Sequence, residues 1–321
     1  MSLSNRSFLY RCGESIGLIA VLFGVIVVFG VTSHRFLSAA TFHSIANQVP
    51  ALAVVSVGMT FVIITAGIDL SVGSVVALAG AVLGVAMVDW KWPLLPALPL
   101  AIGIGSLCGW ANGWVTVRFA VPSFIVTLGM MQIARGLAYL ATDSQTKYIG
   151  NPVEWLGAPL PVMGISAAFL FAIVIVVVGQ VILKRSVFGR YVLVIGANEE
   201  AAVYSGVNSR PVKIAVFVIA GALAGLAAAF DSSRLGAVDP NAAIGLELSA
   251  IAAVVIGGTS LMGGRGSVTG SFLGVLIMAT LGAGLAQIGA SEPVKLLITG
   301  LVIVLAVIID GWRVGQWKRL R

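Results

Sequence analysis

Long apolar stretches, separated by short polar segments, run along almost the whole chain. About 20 mostly apolar residues are enough to cross the hydrocarbon core of a membrane as an α-helix. The pattern therefore predicts an all-α fold, a polytopic membrane helix bundle with about ten transmembrane helices. The predicted spans lie near residues 16–33, 45–66, 70–88, 93–117, 121–142, 165–183, 212–231, 246–262, 267–288 and 294–310.

The amino-acid composition also predicts a protein surrounded by lipid. Hydrophobic residues make up 59% of the chain and charged residues 10%, whereas soluble domains carry roughly 25% charged residues. The mean hydropathy is +1.07. The net charge of +7 comes without a long basic run, so a nucleic-acid partner is not expected. Cys12 and Cys108 stand outside any motif and predict neither a disulfide nor a metal site.

The distribution of basic residues orients the bundle. With an even number of spans, thirteen of the nineteen Lys and Arg residues fall on the side of the two termini, five fall on the other side, and Arg135 lies within a span. Excess Lys and Arg mark cytoplasmic loops. We therefore expect both termini in the cytoplasm and membrane lipid around a multi-pass protein.

Two connections are long, the outer segment 143–164 and the inner segment 184–211. The others are short, which predicts one transmembrane domain over 1–321. Within the inner segment, the centre from Ala197 to Tyr204 predicts a short helix. Its string E-A-A-x-x-x-G runs from Glu200 to Gly206, where a short helix is well placed to dock on a cytoplasmic partner.

Glycines and missing motifs narrow the function. Gly105, Gly109 and Gly113 form a stripe typical of closely packed transmembrane helices. No lysine follows a glycine as in a Walker A loop, so ATP hydrolysis by this chain is not expected. With only His34 and His43, histidine clusters are excluded, no nucleophile elbow occurs, and no two carboxylates stand at helical spacing within one span.

Asp69 is the most informative polar residue, because it lies between two apolar runs in the segment G-I-D-L-S-V-G-S from Gly67 to Ser74. Ionisable residues at membrane depth are costly and mark functional sites. An N-cap of the third span is the structural alternative. Other polar residues at membrane depth suit a neutral hydroxylated solute better than an ion. The candidate path or gate residues are Asn47, Asp69, Ser71, Asn112, Thr127, Gln132 and Arg135.

Three separated segments resemble the permease subunit of bacterial ribose-type ABC importers. The first is V-G-M-T from Val57 with G-I-D-L-S-V-G-S from Gly67. The second runs from Gly189 to Val207, and the third from Gly245 to Gly266, with G-G-T-S-L at its centre. In the second segment the resemblance assigns the coupling to the ATPase to Gly189, Arg190, Tyr191, Gly196, Asn198, Glu199, Glu200, Ala201, Ala202 and Gly206.

This resemblance implies a bacterial inner-membrane protein that works as a pair of permease chains. It implies an ABC ATPase subunit beneath the pair, which binds the ATP, and a periplasmic sugar-binding protein outside. The permease chain itself is then non-catalytic and holds no cofactor or metal.

Three other functions remain open from the sequence. A branched-chain amino-acid ABC permease shares the broader fold, but G-I-D-L-S-V-G-S and G-G-T-S-L favour sugar. A self-sufficient secondary transporter needs mid-span carboxylates, for which Asp69 is the one candidate. A membrane enzyme is opposed by the missing catalytic constellations.

Overall fold

The computed structural model describes residues 3–33, 35–161 and 163–318, with the side chains between 16 and 308 in those ranges. Over these residues the chain is all-α apart from two short strands, β1 (Lys147–Tyr148) and β2 (Ala237–Val238), which pair antiparallel. The helices are α1 (Leu3–Thr32), α2 (Ala39–Gln48), α3 (Pro50–Ile64), α4 (Val72–Gly84, continued by a π-helical turn Val85–Asp89), α5 (Leu94–Phe119), α6 (Ser123–Thr142), α7 (Asn151–Gly157), α8 (Ala167–Arg185), α9 (Val187–Ala197), α10 (Glu199–Tyr204), α11 (Ser209–Leu235), α12 (Leu246–Ile256), α13 (Val268–Gln287) and α14 (Glu292–Lys318).

Six helices of the described chain are long and apolar enough to cross a membrane. They are α4 with its π-helical turn, α5, α6, α8, α11 and α13, and the total is seven if the bent pair of α2 and α3 is counted as one span. The polytopic helical prediction is therefore confirmed. The count of ten spans and the orientation of the termini stay predictions.

Two predicted spans are interrupted. The span 45–66 bends by 48° between α2 and α3, because Pro50 has no backbone N–H with which to continue the first helix. The span 246–262 is wrong in length, since α12 ends at Ile256. Gly258 then turns the chain with φ +87°, a conformation that glycine adopts without strain.

The core of the bundle surrounds α3 and α4. Every residue from 53 to 64 and from 72 to 81 is buried. A helix that is apolar on all sides is stable only when protein surrounds it in this way or when lipid does. Helices α8, α11, α12 and α13 pack around α3, while α5, α6 and α11 pack around α4.

The predicted close packing of the glycine stripe is confirmed. A Cβ atom on Gly105 would collide with the carbonyl of Gly221, and one on Gly109 with the carbonyl of Phe217. Both carbonyl groups belong to α11, so α5 and α11 touch backbone to backbone. Small residues permit this approach, and it is a main source of helix association in a membrane.

We call the end of the bundle that carries α9 and α10 the inner end, following the predicted orientation, and the opposite end the outer end. At the outer end β1 lies beside β2, and Lys147 forms an ion pair of 2.7 Å with Asp89. At the inner end the predicted loop 184–211 is mostly helical. The 11-residue α9 was not predicted, and Ser186 begins it by accepting a hydrogen bond from the Gly189 N–H at 2.9 Å.

Candidate functional site

A buried polar cluster lies where the chain breaks between α3 and α4. The Asp69 carboxylate accepts hydrogen bonds from the Ser71 N–H at 2.9 Å and from the Ser71 hydroxyl at 2.6 Å. The amide of Asn112, on α5, donates to the Ser71 hydroxyl at 2.9 Å. All three residues are buried. Three of the predicted path residues therefore meet, although Ser71 and Asn112 are 41 positions apart in the chain.

Helix α6 holds the other side of the same break. The Ser123 hydroxyl accepts from the Ile68 N–H at 2.9 Å, and the Thr127 hydroxyl accepts from the Leu70 N–H at 3.1 Å. We call Asp69, Ser71, Asn112, Ser123 and Thr127 the polar network. Because backbone groups at membrane depth need partners within the protein, this network supplies the irregular segment 67–71 with the hydrogen bonds that a helix would give.

The N-cap interpretation of Asp69 is wrong. Ser71 is the N-cap residue of α4, and its own side chain makes no cap hydrogen bond. Asp69 stands two residues earlier and binds Ser71 rather than the free N–H groups of the first helical turn. The carboxylate therefore fixes the shape of the break. The amide oxygen of Asn112, Oδ1, has no hydrogen-bond partner among the described residues.

The three remaining path candidates lie elsewhere. Asn47 joins α2 to the segment before α8, since its side chain donates to the Gly164 carbonyl at 3.2 Å and accepts from the Ser166 N–H at 2.7 Å. Arg135 donates to the carbonyls of Pro240 and Ala242 at 2.6 and 2.9 Å. Gln132 is exposed on α6. None of these three residues contacts the polar network through a hydrogen bond in the part of the chain that the structure describes.

The predicted coupling residues form a two-helix segment, α9 and α10, which we call the coupling segment. The short helix expected from Ala197 is present as α10, and the Asn198 side chain caps it by accepting from the Ala201 N–H at 3.0 Å. Ala202 faces the bundle and is buried, while Gly206 ends the helix with φ +85°. The exposed residues of the segment include Arg190, Tyr191, Glu200, Ala201, Val203 and Tyr204.

Glu199, the first residue of α10, ties the coupling segment to α11. Its carboxylate forms an ion pair of 2.7 Å with Lys213. Partial burial raises the pKa of Glu199, but hydrogen bonds from Lys213 and Ser209 and the charge of Lys213 outweigh it and hold this pKa below its ordinary value. The pair is therefore intact at neutral pH and is lost as the pH falls through the lowered pKa.

The second and third segments that carry the family resemblance meet at the inner end, beside the residues that join the two parts of the first segment. The Gly264 N–H donates to the Ile64 carbonyl at 2.9 Å. A Cβ on Gly196 would collide with that same carbonyl and with the Gly264 nitrogen. We call Ile64, Gly196 and Gly264 the junction. It places the end of α9 in direct backbone contact with the residue that precedes the break.

Sequence reasoning missed Ser123, a member of the polar network, and Glu247, an acidic residue close to α4. Ser123 follows Val121 and Pro122 at the start of α6 and gave no signal beyond its place at a helix N-terminus. Glu247 lies so close to α4 that a Cβ on Gly73 would collide with its carboxylate. Among the described residues, no group of three or more His, Cys, Asp or Glu side chains is arranged to hold a metal ion.

The sequence profile of the family described as "Branched-chain amino acid transport system / permease component" matches residues 41–307. The chain belongs to this permease family. The permease is 37% identical over 299 residues to the ribose import permease protein RbsC of Haemophilus influenzae, with 90% of each chain covered. It is 36% identical over 315 residues to RbsC of Escherichia coli K12, covering 93% of this chain and 94% of the relative.

A third relative extends the comparison beyond ribose. The permease is 33% identical over 317 residues to the fructose import permease protein FrcC of Rhizobium meliloti, covering 96% of this chain and 88% of the relative. No solved structure matches the permease.

Replacing Asp69 by alanine is expected to destabilise the permease, whereas asparagine should be tolerated. Asparagine keeps the oxygen that binds Ser71, but alanine leaves a buried N–H and hydroxyl without their acceptor, at a cost of about 1–3 kcal/mol. Thermal unfolding in detergent measures the difference, with Asp143→Asn at an exposed position as control. An asparagine variant that folds normally and fails in transport would instead assign the negative charge a role in the path.

Proposed function

We propose that the protein is the transmembrane subunit of an ATP-driven importer that carries a monosaccharide or a related polyol across a bacterial inner membrane. The observation that carries the proposal is the identity of 33–37% with ribose and fructose import permeases over about nine-tenths of the chain. The substrate class rests on these relatives. The chain is non-catalytic and binds no cofactor, because ATP is hydrolysed on a separate subunit.

Sugar is favoured over a branched-chain amino acid. The family description names branched-chain amino-acid transport, but the similar relatives are named for ribose, fructose and L-arabinose. The hydroxyl and amide groups of the polar network also suit a neutral hydroxylated solute. They offer hydrogen bonds without requiring the solute to carry charge.

The two ends of the bundle fit two different partners. The coupling segment exposes Tyr191, Val194, Val203 and Tyr204, apolar side chains that an ATPase subunit would cover. At the outer end, β1 and β2 hold two connections together, and a periplasmic sugar-binding protein would dock on this side. A second permease chain completes the assembly beside the first.

Coupling follows from the junction. Movement of α9 and α10 by the ATPase reaches the Ile64 carbonyl through Gly196 without an intervening side chain. Ile64 is the last residue of α3, so displacement there reorients the break that follows it. The polar network then exchanges its hydrogen bonds, and Asp69, Ser71, Asn112 and Thr127 line the path or its gate.

The three other candidate residues lie around that path. Asn47 and Arg135 hold connections beside it, and Gln132 faces away from the core on α6.

Reconstitution into liposomes tests this function. The chain alone should give no concentrative uptake of ribose, fructose or L-arabinose, with ATP or with an imposed proton or sodium gradient, since it has neither a Walker A lysine nor several mid-span carboxylates. Adding the ATPase and the loaded binding protein should produce uphill uptake of one of these sugars. Uphill uptake by the lone chain under an ion gradient would contradict the proposal and establish a secondary transporter.

A further inference from the structure

The exposed face of α6 carries a polar side chain at the middle of the membrane. Gln132 is exposed on this face, and it is the tenth of the 20 residues of α6. At 1.5 Å per residue it lies about 15 Å from either end of the helix, halfway through the hydrocarbon core. Polar side chains at that depth face protein or water rather than lipid. This face of α6 is therefore expected to border water.

An irregular segment, residues 239–245, lies at a similar depth between β2 and α12. Val238 packs against Gly84 near the outer end of α4, whereas Glu247 packs against Gly73 in the first turn of α4. The segment therefore descends about 16 Å along α4 before the chain forms a helix again. Irregular backbone at membrane depth is tolerated where protein buries it or where it lines a water-filled cavity. Part of this segment is exposed, so the second case applies.

Arg135 joins the exposed face of α6 to the irregular segment. A single nitrogen of its guanidinium, Nη1, donates to the carbonyls of Pro240 and Ala242 at 2.6 and 2.9 Å. The negative charges of Asp239 and Glu247 both act on this guanidinium. Neither carboxylate forms an ion pair with it in the part of the chain that the structure describes. We call Arg135, Asp239 and Glu247 the charged cluster.

Much of the hydrogen-bonding capacity of the charged cluster is unused. Nε and Nη2 of Arg135 and both carboxylate oxygens of Glu247 have no hydrogen-bond partner among the described residues, and Asp239 uses one of its two oxygens, for Asn241. These atoms also reach the surface, since the cluster is half-buried. The fully buried side-chain atoms without a partner in the described chain belong to Ser56, Asn112, Thr116 and Gln180.

Unused donors beside unused acceptors suit a neutral molecule with several hydroxyl groups. A hydroxyl donates to a carboxylate and accepts from a guanidinium, and hydrogen bonds to charged groups are about twice as strong as those between neutral groups. The guanidinium opposes a cation, and the two carboxylates oppose an anion. A sugar with adjacent hydroxyl groups can bridge the two kinds of charge without bringing a charge of its own.

Resting on the proposed function, we propose that the charged cluster is a sugar-contact site inside the membrane, where hydroxyl groups of the sugar bridge Arg135 and Glu247. The site lies outward of the polar network, because Arg135 follows Thr127 on α6 by about 12 Å. Helix α12 begins beside Glu247 without a side-chain cap and has 11 residues. Transporters place interrupted helices of this kind at substrate sites near the middle of the membrane.

Cysteine labelling tests both the water-filled face and the sugar contact. Gln132→Cys is introduced into a chain carrying Cys12→Ser and Cys108→Ser, which is assembled with its ATPase and binding protein in nanodiscs. A water-soluble maleimide should label this cysteine. The transported sugar, identified by uptake among ribose, fructose and L-arabinose, should slow the labelling when present in excess, because position 132 lies one turn before Arg135 on the same face of α6.

Two further cysteines are the controls for this labelling. Asp143→Cys, at the exposed residue that follows α6, should label without protection by the sugar. Protection there would report docking of the binding protein instead. Val177→Cys, exposed in the middle of α8, should remain unlabelled, because a thiol that faces lipid does not form the reactive thiolate.

Glu247→Gln separates sugar contact from a structural role. Glutamine has the same shape, and Glu247 makes no hydrogen bond within the described chain, so the unfolding temperature should not change. In the Gln132→Cys chain, the sugar concentration that gives half-maximal protection should rise about three- to tenfold, because a neutral amide binds hydroxyl groups more weakly than a carboxylate does. Glu292→Gln, at an exposed acid in the first turn of α14, is the matched control and should leave this concentration unchanged.

The outcomes separate this proposal from the proposed function. Labelling of Gln132→Cys that the sugar slows, with weaker protection in Glu247→Gln, supports the site. In an assembly that takes up sugar, an unreactive Gln132→Cys, labelling without protection, or unchanged protection in Glu247→Gln overturns the site and leaves the importer function standing. Protection by sodium ions and not by sugar also overturns it, in favour of a cation site. Failure of the native assembly to take up any of the three sugars contradicts the proposed function itself.

Discussion

Replacing Gly196 by alanine is expected to abolish ATP-driven uptake while the permease still inserts into the membrane. The added Cβ collides with the Ile64 carbonyl and the Gly264 nitrogen, both of which are backbone atoms that no rotamer change can move aside. The end of α9 must then withdraw from α3. Helices α3 and α4 keep their own buried surroundings, so the expected damage is to the transmission of movement and not to the bundle.

Uptake by the assembled transporter, together with ATPase activity and thermal unfolding of each variant, measures this effect. ATP hydrolysis should persist while its coupling to uptake is lost. Gly264→Ala should reproduce the result from the other side of the junction, since its Cβ would lie 2.6 Å from the Ala197 Cα. Gly103→Ala, where the space is open, is the matched control. Normal coupled uptake in Gly196→Ala would show that the junction does not transmit movement from the coupling segment to the break.

Replacing Gly105 by leucine is expected to prevent folding of the permease altogether. At this position α5 and α11 touch through their backbones, and the Gly221 carbonyl occupies the place of a Cβ. Overpacking a core costs about 1–3 kcal/mol when side chains can shift, and here the obstacle is backbone on a second helix. The two helices would have to separate along their whole contact, which also removes support from α4.

The yield of monodisperse protein in detergent and its unfolding temperature test this expectation. Gly105→Ala should lower the unfolding temperature, and Gly105→Leu should leave no folded protein. Gly129→Ala on α6 meets no atom within 4 Å and should be neutral, because alanine favours helix more than glycine does. A folded and stable Gly105→Leu protein would show that α5 and α11 are not held by this contact.

Sequence reasoning located the helices better than their interruptions. The predicted spans 93–117, 121–142 and 165–183 differ from α5, α6 and α8 by two residues or fewer at each end, because apolar length alone determines them. The early end of α12 escaped prediction, since the apolar run continues through residues that form turns. Helix α9 escaped because its 11 mostly apolar residues are too few to cross a membrane and lie in a segment with basic residues at both ends.

The site was predictable in its parts and not in its assembly. Asp69 is conspicuous in the sequence because it is an acid between two apolar runs. Its link to Asn112 through Ser71 depends on the packing of α5 beside the break. Asn47 and Arg135 are also polar residues predicted to lie at membrane depth, yet they bind carbonyls of distant connections. The sequence shows which polar residues lie within or between the apolar runs. Only the packing of the helices decides which of these side chains share a site.

The contact between α5 and α11 also restricts how this protein can change during evolution. Gly105 and Gly221 each approach the carbonyl of the other. In most packed pairs a larger residue on one side can be offset by a smaller residue opposite. Here both positions already hold the smallest amino acid, so no second-site exchange within the pair can restore the fit. Every amino-acid substitution at either glycine adds a side chain, so within this pair only reversion to glycine restores the fit.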